Sequence, residues 1–257
     1  MSLKGVILAG GLGKRLYPLT KITNKHLLPV YSRPMIYYPI MTLVEAGIKD
    51  ILIVTGGMHA GEFLRLLGNG AEFGLKHINY TYQEGEGGIA DALRLAEHFA
   101  DNGKFVVMLG DNIIEKSVRS AARDFAKQPK GAKILLKKVE DPERFGVAEL
   151  SAKGGSADLC GGRGKKIVSI EEKPKKPKSD YAVTGIYMYD NQVFDIVRTL
   201  KPSKRGELEI TDVNNAYLKK GQLTYDILDG WWTDSGTFDS LLRANNLVAE
   251  KESKLKM

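Results

Sequence analysis

Lys4-Gly5-Val6-Ile7-Leu8-Ala9 runs without interruption into Gly10-Gly11-Leu12-Gly13-Lys14-Arg15-Leu16, and the reading of this stretch decides the fold. The first six residues form an apolar run with no polar alternation, as expected of a strand covered on both faces. Three glycines in the next four positions let backbone N–H groups close around an anion where bulkier residues would obstruct them. Neither familiar phosphate-loop template fits. A Walker A loop needs Ser or Thr after Gly-Lys, whereas Arg15 follows Lys14. A dinucleotide fingerprint begun at Gly11 needs glycine at 16, where Leu16 stands. On the glycines alone, a tight strand–helix turn without a ligand is an equally open reading.

Outward from this turn, short Val/Ile/Leu-rich runs bounded by Gly, Asp or Asn alternate with helical patterns, the signature of an α/β protein. Strands are expected at 4–9, 50–55, 78–83, 105–109 and 132–137, with helices near 35–46, 60–67, 89–99 and 118–126. Beyond about residue 145 the texture changes. Strands at 147–150, 167–171 and 183–189 follow without long helices between them, so a mixed or antiparallel extension is expected. Helical patterns return at 193–199, 210–219 and 238–252. The glycine- and lysine-rich stretch 153–166 reads as a mobile hairpin tip. The expectation is one α/β domain over 1–257, divided near residue 145 into a larger first part and a smaller mixed-sheet part over 146–257.

The chain has 257 residues, enough to bury a proper core, with 43% hydrophobic and 27% charged residues, which excludes bulk disorder. No apolar run approaches the ~20 residues of a membrane span, and the N-terminus lacks a signal-peptide layout. Cys160 is the sole cysteine, so no intramolecular disulfide forms and a reducing cytoplasm is expected. Four scattered histidines and one cysteine exclude a zinc site of the His/Cys kind. A formal charge of +7 calls for an anionic partner. The charge alone does not choose between nucleic acid, a membrane surface and phosphorylated small molecules, and a nucleic-acid reading, invited by the lysines of 163–178, finds no recognised motif.

Further blocks follow the glycine turn in order: Tyr17-Pro18-Leu19-Thr20, Asn24-Lys25-His26-Leu27-Leu28-Pro29-Val30-Tyr31 and Arg33-Pro34-Met35. Later come Leu109-Gly110-Asp111-Asn112, Asp141-Pro142-Glu143-Arg144-Phe145-Gly146-Val147, Glu171-Glu172-Lys173-Pro174, Arg205-Gly206-Glu207 and Trp231-Trp232-Thr233-Asp234-Ser235-Gly236. Together they resemble the sugar nucleotidyltransferases, within them the glucose-1-phosphate thymidylyltransferase family, over almost the whole chain. The resemblance implies a Rossmann-like fold, with a mostly parallel central sheet, helices on both faces and a smaller sugar-binding part. It implies transfer of a nucleotidyl group from dTTP or UTP to glucose 1-phosphate or another hexose 1-phosphate, releasing pyrophosphate and giving dTDP-glucose or its counterpart. Mg²⁺ is the implied cofactor, with no nucleic acid or membrane partner, and with a monomer or a homo-oligomer both open. A non-catalytic relative would be expected to lose Arg15, Lys25, Asp111 or Asp234, and all four are present.

Such a reaction brings an anionic nucleophile to an anionic phosphorus. Each pair of unit charges ~5 Å apart repels by roughly 3 kcal/mol at an effective dielectric near 20, so cations, a metal and fixed geometry matter more than an acid or base. By resemblance, Leu8, Gly10, Gly11 and Gly13 border the nucleotide, and Arg15 and Lys25 bind its phosphates. Gln83 and Gly88 face the pyrimidine edge, where an amide can both donate and accept. Asp111 and Asp234 are the implied Mg²⁺ ligands; two carboxylates with phosphate oxygens suit a hard octahedral ion. For the sugar phosphate, Lys173 and Arg205 contact the phosphate, Glu172 a hydroxyl, and Gly146, Val183 and Tyr187 complete the pocket. The chain departs from the family at Lys14, where threonine is usual, at His26, where glutamine is commoner, and at Phe145, where tyrosine is commoner. Stretch 153–166 is longer than the family's common form, and the chain stops soon after its last helical pattern. Longer members continue there into a part that builds a regulatory site, so weak or absent feedback through a separate site is expected.

Overall fold

Alternate residues of the opening apolar run serve two different cores. Val6 and Leu8 pack into one buried cluster with Val107, Tyr187, Val193 and Val213, while Ile7 and Ala9 pack into another with Ile36, Ile40, Phe63 and Met108. A period of two with both faces apolar places the strand between two helical layers. The computed structural model describes residues 3–75, 77–151 and 165–255. Its strands are β1 (Lys4–Ala9), β2 (Pro29–Val30), β3 (Arg33–Pro34), β4 (Ile51–Gly56), β5 (Ile78–Gln83), β6 (Phe105–Leu109) and β7 (Asn112–Ile114). They continue as β8 (Ala132–Lys138), β9 (Gly146–Leu150), β10 (Ile167–Glu172), β11 (Tyr181–Tyr189), β12 (Leu223–Ile227) and β13 (Trp232–Asp234). The helices are α1 (Tyr37–Glu45), α2 (Ala60–Leu67), α3 (Ile89–Arg94), α4 (Glu97–Ala100), α5 (Arg119–Lys127), α6 (Gln192–Thr199), α7 (Ile210–Lys219) and α8 (Phe238–Leu255).

The main sheet runs β10-β9-β11-β6-β1-β4-β5, with β8 also paired to β11 and β12 to β8. Its centre, β6-β1-β4-β5, is wholly parallel, and β1 sits in it with Leu8 opposite both Val54 and Leu109. β11 turns the pattern antiparallel against β6, β8 and β9, which is the mixed extension expected after residue 145. No helix among the described residues is long and apolar enough to cross a membrane.

Two expected helices differ in detail. The pattern over 89–99 breaks into α3 and α4, because Leu95 and Ala96 N–H groups bond to Ala92 and Leu93, three residues back, at 3.2 and 3.0 Å. The pattern beginning at 35 becomes helical only at Tyr37, since the Met35 and Ile36 N–H groups are drawn to the carbonyls of Leu28 and His26 at 2.9 and 2.8 Å. Most of stretch 153–166 lies outside the described residues; at its base, the Ser151 N–H donates to the Lys166 carbonyl at 2.8 Å.

Candidate active site

β1 leaves the sheet at Ala9 into the glycine turn, and the turn shapes the first wall of the site. Gly13 has φ 68°, and a Cβ there would lie 2.9 Å from both Lys25 Cβ and Thr20 Cγ2. Glycine therefore permits the left-handed turn and lets the Lys25 stem pack beneath it. Lys25 opens a short 3₁₀ turn capped by Asn24, whose Oδ1 accepts from the His26 N–H at 2.9 Å and lies 2.7 Å from His26 Nδ1. From this turn Lys25 Nζ donates to Asp111 Oδ2 at 2.6 Å, an ion pair whose side chains are 13% and 12% exposed. Burial, then Lys25, lowers the His26 pKa to about 3, so its ring is neutral at pH 7. For Asp111, burial pushes the carboxyl up, but Lys25 overrides it and holds the group well below the ordinary carboxylate range.

Asp111 stands between β6 and β7, at the carboxyl end of a central parallel strand. β13 pairs antiparallel with β7, and the register sets Asp234 opposite Asn112, the neighbour of Asp111. Asn112 locks the corner. Its Nδ2 donates to Asp111 Oδ1 at 2.9 Å, and its Oδ1 accepts from Trp232 Nε1 at 2.7 Å and the Gly185 N–H at 3.0 Å. Gly236 marks the space the carboxylates share: a Cβ there would lie 2.9 Å from Arg15 Nη2, 3.3 Å from Asp234 Oδ2 and 3.5 Å from Asp111 Oδ2. No group of three or more His, Cys, Asp or Glu able to hold a metal occurs among the described residues. Two carboxylate oxygens bordering one small space fit an ion that takes its remaining ligands from phosphates and water.

Across the cavity, Gln83 Nε2 donates to Asp91 Oδ2 at 2.9 Å and to the Gly88 carbonyl at 3.3 Å, leaving Oε1 beside Gly10. β10 ends at Glu172, and Lys173 adopts φ 45°, a left-handed conformation that costs a non-glycine residue of order 1 kcal/mol and recurs at functional sites. Glu172 Oε2 accepts from Thr211 Oγ1 at 2.6 Å. Arg205 is committed to Glu209 at 2.7 and 3.1 Å and approaches Glu172 at 3.6 Å.

One cavity of about 340 Å³ is lined by Leu8, Gly10, Gly11, Arg15, Lys25, Gln83, Gly88, Asp111 and Asp234 on the turn side. Gly146, Glu172, Lys173, Val183 and Tyr187 line it on the β9–β11 side. Gly13 lies behind this lining, against Lys25, and Arg205 beside it, against Glu172 and Glu209. The sequence reading did not single out Asn112, Arg144 and Thr211, each of which bonds a cavity carboxylate. Asn112 and Arg144 stand inside quoted blocks, but their partners are set only by long-range packing.

The parallel sheet thus carries a glycine turn on its central strand β1, Asp111 after the neighbouring β6, and Asp234 on β13, which pairs with β7. The family profile described as nucleotidyl transferase matches residues 4–251. The glucose-1-phosphate thymidylyltransferases of Neisseria meningitidis serogroup A and Mycolicibacterium smegmatis are each 46% identical over 249 residues, 96% of this chain and 82% of theirs. A Bacillus anthracis crystal structure provisionally described as a glucose-1-phosphate thymidylyltransferase, in complex with a sucrose, is 54% identical. It superposes with a TM-score of 0.87 over 96% of this chain and 95% of that one. A UDP-glucose pyrophosphorylase complexed with UDP-glucose shares the fold at 24% identity and a TM-score of 0.83, over 98% of this chain and 100% of that one. The chain belongs to the nucleotidyl transferase family, among its glucose-1-phosphate thymidylyltransferases. It is a transferase of a family that is in general metal-dependent.

Proposed function

We propose that this enzyme transfers a thymidylyl group from dTTP to the phosphate oxygen of glucose 1-phosphate, giving dTDP-glucose and pyrophosphate. The observation that carries the reading is the meeting in one cavity of the glycine turn, Arg15, Lys25, Gln83, Asp111 and Asp234. The Gln83 amide has spent its N–H groups inside the protein, so Oε1 accepts from the N3–H of thymine or uracil. Cytosine carries no hydrogen there. Arg15, which has no hydrogen-bond or ion-pair partner among the described residues, stabilises the departing pyrophosphate. Lys25 exchanges its bond to Asp111 for a phosphate oxygen as nucleotide arrives. On the other wall Glu172, held by Thr211, accepts a sugar hydroxyl, and Lys173 takes the sugar phosphate with Arg205 turning in from Glu209. Gly146, Val183 and Tyr187 shape the hexose pocket between them.

Asp111 and Asp234 would hold Mg²⁺, which when bound neutralises charge on the phosphates. Among the described residues lining the cavity, His26 is neutral and tied to Asn24, and the Thr211 hydroxyl donates to Glu172 on the sugar wall, so no Ser, Cys or His there is paired with a base. The sugar phosphate therefore attacks the α-phosphorus in line and directly, with inversion. Both halves of the reaction belong to a single domain over 1–257, the nucleotide part to about residue 145 and the sugar part beyond it, working in the cytoplasm. The test is pyrophosphate release across a grid of nucleoside triphosphates and sugar 1-phosphates. The largest kcat/KM is expected for dTTP with glucose 1-phosphate. A tenfold preference for another nucleotide or hexose would overturn the assignment, and retention at an α-thio phosphorus would overturn the single displacement.

A further inference from the structure

Arg144 lines the cavity, yet its guanidinium is committed to protein groups. Nη2 donates to Asp234 Oδ1 at 3.0 Å and Nη1 to Asp141 Oδ2 at 2.7 Å. The guanidinium carbon lies 5.0 Å from the centroid of the Phe145 ring, and Phe145 packs at 4.9 Å against Trp232, two residues before Asp234. Trp232 is itself pinned to Asn112, the residue that orients Asp111. The fork is thus held by Asp141 and by the Phe145 ring as it reaches Asp234.

We infer that Arg144 is a positioning residue for the metal site, holding Asp234 by Oδ1 so that Oδ2 borders the space shared with Asp111 and Arg15. The inference rests on the proposed role of Asp111 and Asp234 as metal ligands. The two ion pairs of the site then act in opposite senses. Lys25 bonds Asp111 through Oδ2, the oxygen that borders the shared space, so a metal entering there displaces it. Arg144 bonds the other oxygen of Asp234, Oδ1, and leaves Oδ2 at that space, so it stays in place. Nη1 and Nη2 each engage a carboxylate, which ties the guanidinium between Asp141 and Asp234. Its planar fork, anchored on Asp141 and Phe145, sets a direction that an ammonium cannot reproduce.

This separates positioning from charge. A cation near a metal ligand repels the metal, so if charge alone mattered, Arg144→Lys would bind metal like the wild type and Arg144→Met would bind it more tightly. Positioning requires the reverse. The probe is Mn²⁺, titrated by EPR into the full chain with the unreactive α,β-methylene analogue of dTTP. Loss of the group that orients a metal ligand typically weakens metal affinity 10–100-fold, so Arg144→Lys is expected to bind Mn²⁺ roughly tenfold or more weakly. Asp141→Asn removes the far anchor only; it is expected to weaken Mn²⁺ in the same direction, and the double variant to be no weaker than Arg144→Lys. Asp141→Asn also carries the test if Arg144→Lys proves unstable to heat. Asp111→Asn and Asp234→Asn serve as references. If neither weakens Mn²⁺ binding, the two-carboxylate reading itself fails. If both weaken it while Arg144→Lys and Asp141→Asn bind like the wild type, the positioning role alone is overturned.

Discussion

Replacing Lys25 by methionine removes the cation from a carboxylate that the fold has already buried. The pair is short, 2.6 Å, and its side chains are 13% and 12% exposed, so water cannot take over the charge of Asp111. Removing one partner of a buried pair costs about 3–5 kcal/mol. The lower end applies here, because Asn112 Nδ2 still donates to Asp111 Oδ1 at 2.9 Å. At ~2–4 °C per kcal/mol for a chain of this size, Lys25→Met should melt roughly 6–12 °C lower at pH 7. The pH dependence carries a sign. In the wild type, the folded-state carboxyl of Asp111 is depressed, so its contribution is fully present above the unfolded value near ~3.9 and is lost as pH falls through the lower folded value. Without Lys25, burial dominates and the folded value rises above the unfolded one. The deficit of the variant should then shrink between pH 7 and 5. The Lys25→Met/Asp111→Asn double variant leaves no charge buried alone and should regain most of the loss. A divalent ion, which takes the place of the missing cation, should raise the melting point of Lys25→Met more than that of the wild type. Thermal unfolding by circular dichroism measures all of this. A single variant within about 1 kcal/mol of the wild type, or a double variant no better than the single, refutes the reasoning.

Gly236→Ala places a methyl 2.9 Å from Arg15 Nη2 and 3.3 and 3.5 Å from the two carboxylate oxygens. Arg15 is exposed and can swing aside, so melting should fall by no more than ~2–4 °C while kcat drops at least about tenfold; an unchanged kcat contradicts the shared space. Asp111→Asn and Asp234→Asn should each nearly abolish turnover, with the double variant little worse because the pair acts as a unit, and EDTA should silence the wild type. Arg15→Ala should lower kcat by on the order of 10²–10³, whereas Lys173→Ala should mainly raise KM for glucose 1-phosphate; identical kinetic phenotypes would remove the division of roles. His26 has its pKa lowered to about 3 by burial and then by Lys25, so the folded state resists a proton that the unfolded chain accepts near ~6.5. Stability is therefore lost as pH falls below that value, by roughly 3 kcal/mol between pH 7 and 4. His26→Gln should be less acid-sensitive by that amount in urea unfolding, and an equal acid loss would refute the assignment.

Much of the frame was legible because it is local. An unbroken apolar run followed by closely spaced glycines specifies a doubly covered strand and a tight turn after it, and β1 and a turn at Gly13, with φ 68°, stand there. The break between α3 and α4 was not legible, since the apolar spacing continues through it and only the bonding changes. β7 and β13 were missed for a simpler reason: three residues are too few to show a period.

The sequence alone determined which chemical groups the protein carries and, through the ordered blocks, the family in which such groups work together. It could not determine which carboxylate oxygen faces which cation. That was decided by tertiary structure: the three-residue β7–β13 register brings Asp234 opposite Asn112, Lys25 crosses 86 positions to Asp111, and Arg144 crosses 90 to Asp234. Side chains so far apart in the chain meet only after the sheet and its two helical layers have closed. The orientation of a buried charge is then set by the partners within hydrogen-bond reach, and no local pattern encodes them.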